Sequence, residues 1–277
     1  MEIAAYMLRT GRRGLPFEFR MAFRDLRQSF ERFELAWALA RHDIVSRYRG
    51  SILGPFWITL SMGLMVAGIG LLYAKLFEAS LHDFIPHVAL GIVFFGLITG
   101  LVNEGCDTFV QARGMLSQTA LPMLTFVWRT LARNLLNLAH HMVIVVGVLA
   151  IYGYWKVANI PLAVGGLVLL VLNATWASLL VGVVSARFRD VPQLVISVMQ
   201  FAMFMTPVFW TAEKFADRHA VLIFNPFNHM LSVVRDPLLG KAVDPHSWII
   251  LVLMAVAGWA LAFTLFTFTR RRIVHYL

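Results

Sequence analysis

The chain has 277 residues, of which 59% are hydrophobic and 14% are charged, and its formal net charge is +9. Soluble domains carry about 25% charged residues, so the charges of this chain are too few to cover a globule of its size. Intrinsic disorder is excluded because it needs low hydrophobicity, and a single cysteine excludes a disulfide scaffold. The composition predicts an all-α integral membrane protein.

Two segments precede the first long apolar stretch. Residues 1–30 lack the apolar core of a cleavable signal peptide, so we expect a cytoplasmic N-terminal segment there. In residues 31–49, a period of 100° per residue gives one narrow apolar stripe, formed by Phe33, Trp37, Ala40, Ile44 and Tyr48. This pattern predicts an interfacial amphipathic helix, and a similar helix packed on protein is the alternative. Asp43 and Arg47 have the spacing of an i,i+4 ion pair.

Six stretches lack Asp, Glu, Lys and Arg over the length of about 20 residues that a helix needs to cross a bilayer. Because backbone groups in lipid must be hydrogen-bonded within the segment, we expect helices. The predicted spans, which form a six-span transmembrane domain over residues 50–272, are 51–76, 84–103, 122–152, 160–186, 191–212 and 246–269. Between the last two, residues 213–244 contain a short uncharged stretch interrupted by Asn225 and Pro226, which predicts external re-entrant helices.

The distribution of Lys and Arg predicts the orientation. Of these residues, 18 precede the first span, follow the last one, or lie in the links after spans 2 and 4 and in the first turns of span 3, and six lie on the other side. The positive-inside rule assigns the side with 18 to the cytoplasm. Both termini, including the tail 270–277, are then cytoplasmic, in agreement with an even number of spans.

No pattern typical of a catalytic or metal site is present. The sequence has no Gly-x-x-x-x-Gly-Lys-Ser/Thr phosphate loop, no His-Glu-x-x-His and no Gly-x-Ser-x-Gly. No acidic residue lies in the middle of a predicted span, where ion-coupled transporters usually place carboxylates, so we expect another energy source. His140 and His141 in span 3, together with His229, keep one alternative open, an intramembrane glycosyl- or acyltransferase.

Two groups of residues have an interpretation beyond packing. Phe56 and Trp57 open span 1, and Phe201 and Phe204 share a face of span 5, which indicates either interfacial packing or a conduit in which sugars stack on rings. The links after spans 2 and 4 are either simple connections or docking points for a partner. Their candidate residues are Asp107, Gln111, Arg113, Arg187, Arg189 and Asp190.

Three stretches together resemble one known family. They are Arg47–Trp57 (RYRGSILGPFW), Arg187–Val191 (RFRDV) and Asn225–Met230 (NPFNHM). In these stretches the chain is similar to the permease subunits of ABC transporters that export polysaccharides such as O-antigen, capsule and teichoic acid. It looks closest to the O-antigen (lipopolysaccharide) exporters.

This resemblance implies a homodimer in the bacterial cytoplasmic (inner) membrane with two cytoplasmic ABC ATPase subunits. The ATPase would bind ATP and Mg, and this chain would bind no cofactor and would not itself be an enzyme. The implied substrate is an undecaprenyl-diphosphate-linked polysaccharide, and the implied partners include membrane lipids but no nucleic acid. Permeases for capsule, teichoic acid, small lipids or drugs are the alternatives within transport.

The resemblance also suggests roles for individual residues. A planar guanidinium group suits phosphate, so Arg47 and Arg49 at the membrane entrance of span 1 are candidates for the diphosphate, with positive-inside anchoring as the alternative. The link residues are candidates for ATPase coupling, and the aromatic residues of spans 1 and 5 are candidates for the conduit. The external re-entrant segment would depend on Asn225, Pro226, His229 and Arg235.

Overall fold

A computed structural model describes residues 15–119, 121–211 and 219–276, and every regular element in this part of the chain is a helix. Residues 1–14 of the predicted N-terminal segment, and residues 213–218 of the predicted re-entrant segment, lie outside the described residues. The helices are α1 (Leu15–Glu31), α2 (Phe33–Arg47), α3 (Phe56–Leu76), α4 (Leu81–Gln111), α5 (Arg113–Gln118), α6 (Leu124–Ile151), α7 (Ile160–Ser185), α8 (Val191–Met205), α9 (His219–Phe224), α10 (Pro226–Leu238) and α11 (Pro245–Tyr276). A turn of 3₁₀-helix, Tyr154–Lys156, lies between α6 and α7.

Five of these helices, α3, α4, α6, α7 and α11, are long and apolar enough to cross a membrane. They correspond to predicted spans 1 to 4 and 6, so the all-helical membrane fold is confirmed at this level. The fifth predicted span corresponds to α8, which has 15 residues. At 1.5 Å per residue this helix is about 22 Å long, less than the roughly 30 Å of a hydrocarbon core. The count of six spans therefore stays a prediction.

The first span begins later than its charge-free stretch. α3 starts at Phe56 and not near residue 51. Gly50 and Gly54 have positive φ angles of 82° and 55°, which glycine adopts at no steric cost, and Pro55 immediately precedes the helix. These residues form the turn between α2 and α3.

Two other helix ends also differ from the predicted spans. α4 continues beyond Asn103 to Gln111, through charged residues that the sequence places in a link. It can do so because Glu104 is neutralised by partners on another helix. α8 ends at Met205 and not at residue 212, because Pro207 has no N–H with which to continue the helical hydrogen bonds.

α4 is the central helix of the bundle and contacts α3, α6, α7, α8 and α10. Its almost completely buried side chains include Leu90, Phe94, Phe95, Ile98 and Leu101. A helix that is apolar on all sides is typical of such a central position.

α4 and α7 cross at two glycines. A methyl group at Gly105 would lie 2.8 Å from Ser178 Cα, and one at Gly182 would lie 2.7 Å from the Gly105 carbonyl oxygen. Small residues let membrane helices approach this closely. Because the crossing lies shortly before the ends of both helices, it brings the links that follow α4 and α7 close to each other.

The links between helices lie at two ends of the bundle. One end, called the arginine-rich end below, contains α1, α2, α5, the turn at residues 186–190 and the end of α11, which contact one another or the adjoining ends of the spans. The opposite end contains the 3₁₀ turn, residues 206–211, α9 and α10. There the Asn159 N–H donates to the Pro237 carbonyl at 2.9 Å, and the Tyr154 hydroxyl donates to Asp83 at 2.9 Å.

α1, an element that the sequence did not indicate, docks on α6 and α11 through a buried carboxylate. Asp25 accepts the backbone N–H groups of Met123 and Leu124 at 3.1 Å each and pairs with Arg270 at 3.2 Å. It thereby caps the start of α6, whose first N–H groups have no partner within the helix. Burial raises the pKa of Asp25 above its ordinary value of 3.8, although the N–H groups and Arg270 act in the opposite direction.

Gly166 of α7 contacts the backbone of α10 and provides a test of this packing. A methyl group there would lie 2.6 Å from the Val233 carbonyl carbon, whereas one at the neighbouring Gly165 would meet the Trp248 ring at 3.7 Å. Overpacking typically costs about 1–3 kcal/mol, so Gly166→Ala should lower the melting temperature of the detergent-purified chain by several degrees. Gly165→Ala is the matched control and should leave it unchanged. Equal melting temperatures for the two variants would contradict the close contact between α7 and α10.

Candidate functional site

A cluster of charged side chains joins α2, α4 and α6 near the arginine-rich end. Asp43 of α2 accepts two hydrogen bonds from Arg129 of α6, at 2.8 Å from Nε and 2.5 Å from Nη2, and one from Arg133 Nη1 at 3.0 Å. Glu104 of α4 accepts hydrogen bonds from Arg133 Nε and from the Asn134 amide, both at 2.8 Å. Two carboxylates thus neutralise two largely buried guanidinium groups.

This ionic cluster corrects the expected pairing of Asp43 with Arg47. Asp43 faces α6 and pairs with arginines far away in the sequence, because α2 lies along α6. The buried hydrophobic residues of α2 are Ala36, Ala40 and Ile44. Their small or slim side chains allow the two helices to approach, while Phe33 and Trp37 of the predicted stripe are exposed. The structure therefore shows α2 packed on protein.

The charges in the ionic cluster determine how it responds to pH. Burial alone would raise the pKa of Asp43, but Arg129 and Arg133 lower it below its ordinary value of 3.8. A carboxylate with a lowered pKa stabilises the fold above its unfolded pKa and loses this contribution as the pH falls through the folded value. The contacts of α2 with α6 are therefore insensitive to pH changes near neutrality.

Arg47 and Arg49 lie where α2 ends and the turn into α3 begins. Both side chains are exposed, and neither forms an ion pair with another residue in the described part of the chain. Phe56 and Trp57 follow at the start of α3 and are 57% and 43% exposed. The structure thus brings these two predicted groups, the arginines and the first aromatic pair, to the same end of one span.

Phe201 and Phe204 are 67% and 65% exposed. They lie in the later turns of α8, toward the opposite end, whereas the aromatic residues of α3 lie at the arginine-rich end. The buried residues of α8 are Met199 and Ala202. A single chain therefore does not bring the four predicted conduit residues together, and each pair lies on a face that the described helices leave uncovered.

The residues expected to couple to an ATPase are exposed at the arginine-rich end. They are Asp107, Gln111, Arg113, Arg187, Arg189 and Asp190. The first three lie at the end of α4 and the start of α5, and the others form the turn between α7 and α8. Arg187 also contacts the end of α11, with Nη1 3.5 Å from the Tyr276 hydroxyl and the guanidinium 5.4 Å from the ring centre.

Asn225 and Pro226 of the predicted re-entrant segment begin α10. The Asn225 side-chain oxygen caps the helix by accepting the N–H groups of Phe227 and Asn228 at 3.0 and 3.4 Å. Pro226 occupies the first helical turn, where its missing N–H has no intrahelical partner to lose. The Asn225 amide donates to the Met205 carbonyl at 3.2 Å, which ties the start of α10 to the end of α8.

His229 is buried between α10 and α11. Its Nε2 lies 2.8 Å from the Ile223 carbonyl oxygen, which can only accept a hydrogen bond, so Nε2 carries the proton. Nδ1 lies 2.8 Å from the Ser247 hydroxyl oxygen, within hydrogen-bond distance. Both ring nitrogens are engaged in holding helices together, which argues against His229 as a catalytic base.

Arg235 is buried at the opposite end. Its Nη1 donates to the Pro207 carbonyl at 2.6 Å and lies 3.4 Å from His87 Nε2, and its Nε donates to Asp236 at 3.3 Å. His87 in turn lies 3.0 Å from the Trp210 carbonyl oxygen. Arg235 therefore links α4, α10 and the segment after α8. His87 was not among the predicted residues, although a histidine within an apolar stretch is a signal that could have identified it.

The comparison with known proteins agrees with this arrangement. The ABC-2 type transporter family matches residues 34–239. This match covers most of the chain, which therefore belongs to the ABC-2 type transporter family, a family of transport membrane subunits. The chain is 24% identical over 219 residues to the "O-antigen export system permease protein RfbA" of Myxococcus xanthus, covering 77% of this chain and 82% of that relative. The resemblance to permeases of the polysaccharide-export class is confirmed.

Removal of the Asp43 carboxylate tests the ionic cluster. In Asp43→Asn, Arg129 loses its ionic partner and Arg133 retains only Glu104. Removing one partner of a buried ion pair typically costs about 3–5 kcal/mol, so the melting temperature of the detergent-purified chain should fall clearly. Asp107→Asn makes the same change at an exposed position and should have little effect. If both variants melt at the same temperature, the cluster does not hold α2 in place.

Proposed function

We propose that this chain is the membrane-spanning subunit of an ATP-driven exporter that moves an undecaprenyl-diphosphate-linked, O-antigen-like polysaccharide across the cytoplasmic membrane. The observation that carries the proposal is the similarity to an O-antigen export permease over most of both chains. Exposed arginines beside exposed aromatic residues at the start of α3 support it. A substrate with an anionic diphosphate followed by sugars would use both kinds of contact.

In this proposal the arginine-rich end faces the cytoplasm of a bacterial inner membrane, and both termini lie on that side. α8, extended by residues 206–211, forms the fifth of six crossings. α10 supports this topology because it has 13 residues, too few to cross the bilayer, and is largely buried against α4, α7 and α11. The segment containing α9 and α10 would therefore enter the membrane from outside and return to the same side.

A homodimer accounts for the exposed faces of α3 and α8. The buried residues of α3 are Thr59, Val66, Gly70 and Ala74. One face of α3, which includes Leu64 and Leu72, and most of α8 are exposed in the described part of the chain. In a dimer these faces would surround a conduit, with Phe56 and Trp57 near the cytoplasmic side and Phe201 and Phe204 nearer the outside. Two copies are needed because one chain leaves each pair on an open surface.

Two copies of a cytoplasmic ABC ATPase would supply the energy, and they would hold ATP and Mg. Glu104, an acidic residue within a long apolar helix, is bound to Arg133 and Asn134 and is therefore unsuited to ion coupling. The exposed residues at the ends of α4 and α7 are the proposed ATPase contacts. The close approach of α4 and α7 at Gly105 and Gly182 supports a contact of both segments with one partner.

The diphosphate of the lipid carrier is the proposed ligand of Arg47 and Arg49. Both guanidinium groups are exposed and unpaired within the described residues, and they lie beside the start of a span, where a lipid headgroup would arrive. Charge-assisted hydrogen bonds from guanidinium groups to phosphate oxygens are among the stronger polar contacts. The aromatic residues at the start of α3 would receive the first sugars.

Loss of the aromatic rings on α8 tests whether the conduit carries a glycan. In cells whose export depends on this chain, the double variant Phe201→Ala with Phe204→Ala should reduce the amount of long glycan at the surface severalfold and affect short glycans less. Long glycans would occupy more of the conduit and lose more stacking contacts. Leu261→Ala removes an exposed apolar side chain from α11 and serves as the control. Unchanged glycan export with impaired export of a small lipid or drug would show that the proposed substrate is wrong.

Removal of the two exposed arginines tests diphosphate binding. The double variant Arg47→Gln with Arg49→Gln should weaken stimulation of the purified complex's ATPase activity by lipid-linked glycan at least about tenfold, since each hydrogen bond to a charged group contributes about 1.5–3 kcal/mol. Arg41→Gln, an exposed position on the same α2, should retain normal stimulation. If the correctly inserted double variant is stimulated normally, these arginines act only as positive-inside anchors.

A further inference from the structure

The side chains of α1 form three faces around the helix. The buried face is formed by Ala22, Asp25 and Ser29. At 100° per residue, the arginine face lies opposite the buried face and is formed by Arg20, Arg24 and Arg27. Between these two lies the aromatic face, formed by Phe19, Phe23 and Phe30. Such an order of faces is typical of a helix at a membrane surface.

The buried face fixes α1 against the membrane-spanning helices. Asp25 caps α6 and pairs with Arg270 of α11, and the Ser29 hydroxyl accepts a hydrogen bond from Trp128 Nε1 of α6 at 2.8 Å. Glu18 adds an ion pair to α11. The orientation of the other two faces is therefore set before any ligand arrives.

The aromatic face packs against aromatic side chains of α6 and α11. The Phe23 ring lies 4.9 Å from that of Phe263 in α11, and the Phe30 ring lies 4.8 Å from that of Trp128 in α6. Phe23 and Phe30 are nevertheless 58% and 55% exposed. Because α6 and α11 are candidate membrane spans, lipid is the natural cover for the exposed part of these rings.

The arginine face lines an open groove of about 470 Å³, which also includes Phe23 and Glu31. Arg27 pairs with Glu31 at 2.9 Å. Arg20 and Arg24 form no ion pair with any residue that the structure describes. The groove therefore retains positive charge on successive turns of one helix, directly beside the aromatic face.

We propose that this groove binds the phosphate headgroup of an anionic phospholipid whose acyl chains lie along the aromatic face. Guanidinium groups suit phosphate oxygens, and basic residues at an interface attract anionic lipids. The exposed aromatic face favours a lipid over an acidic protein segment, because it continues from the groove toward two candidate membrane spans, α6 and α11. α1 precedes the range matched by the family, residues 34–239, and the site does not depend on a polysaccharide being the exported substrate.

The test uses the full-length chain, purified in neutral detergent and titrated with phosphatidylglycerol or phosphatidylcholine of identical acyl chains. Native mass spectrometry counts the bound lipids. The wild-type chain should bind one phosphatidylglycerol molecule at least about tenfold more tightly than phosphatidylcholine, since each arginine near an anionic surface contributes roughly fivefold in affinity. The triple variant R20Q/R24Q/R27Q should lose this molecule, and its preference should fall to within about twofold.

The control is R41Q/R272Q, which removes two exposed arginines outside the groove and should keep the tightly bound phosphatidylglycerol. Without added lipid, all variants should have the same melting temperature, because the substituted side chains are exposed. The proposal is overturned if the wild-type chain does not discriminate between the lipids, or if the triple variant retains its phosphatidylglycerol. A triple variant that keeps the lipid but loses the ATPase would identify the groove as a protein-docking surface.

Discussion

Charge compensation between two carboxylates and two guanidinium groups is the constraint on which the arginine-rich end depends. Asp43, Glu104, Arg129 and Arg133 meet where three helices come together, and an unpaired charge would be very costly to bury there. Their pairing fixes α2 along α6 and thereby fixes the turn that leads into α3. The arginines and aromatic residues proposed to receive the substrate are placed by this turn, although none of them belongs to the cluster.

α4 connects this end of the molecule with the other. Glu104 enters the ionic cluster, Gly105 forms the crossing with α7, and His87 lies beside Arg235 at the opposite end. Between these contacts most residues of α4 are apolar and buried. Any displacement of the proposed coupling residues would therefore have to change a polar contact or a backbone contact of α4. This arrangement gives a physical route from the arginine-rich end to α10 at the opposite end.

The spans were predictable and several of their ends were not. Lipid imposes a length and an apolar composition on a span whatever it packs against, so charge-free stretches were sufficient to locate α3, α4, α6, α7 and α11. Helix ends depend on distant partners: Glu104 stays helical because Arg133, 29 positions away, neutralises it. In the same way, the spacing of Asp43 and Arg47 suggests an ion pair, but in the structure Asp43 pairs with arginines of the neighbouring helix α6.

A residue of the candidate site could be predicted only where its role depends on its immediate neighbours in the sequence. Asn225 before Pro226 is a recognisable start of a helix. α1 was not predicted because its charged residues lower the mean hydropathy. The spacing of its apolar residues was nevertheless a signal of a helix with an apolar side, formed by Phe19, Phe23, Leu26 and Phe30. The two aromatic pairs could not be placed relative to each other, since this depends on how α3 and α8 pack in the bundle.

The cap that Asp25 provides has a consequence for the order in which the protein is assembled. Its two backbone donors lie 98 and 99 positions later in the chain, and its ionic partner, Arg270, is near the C-terminus. During synthesis, α1 therefore emerges long before the surface on which it docks. It must wait until the third predicted span has been inserted, and its ion pair can form only when the last helix is complete. α1 is thus fixed in place only after the two helices on which it docks, α6 and α11, have been made.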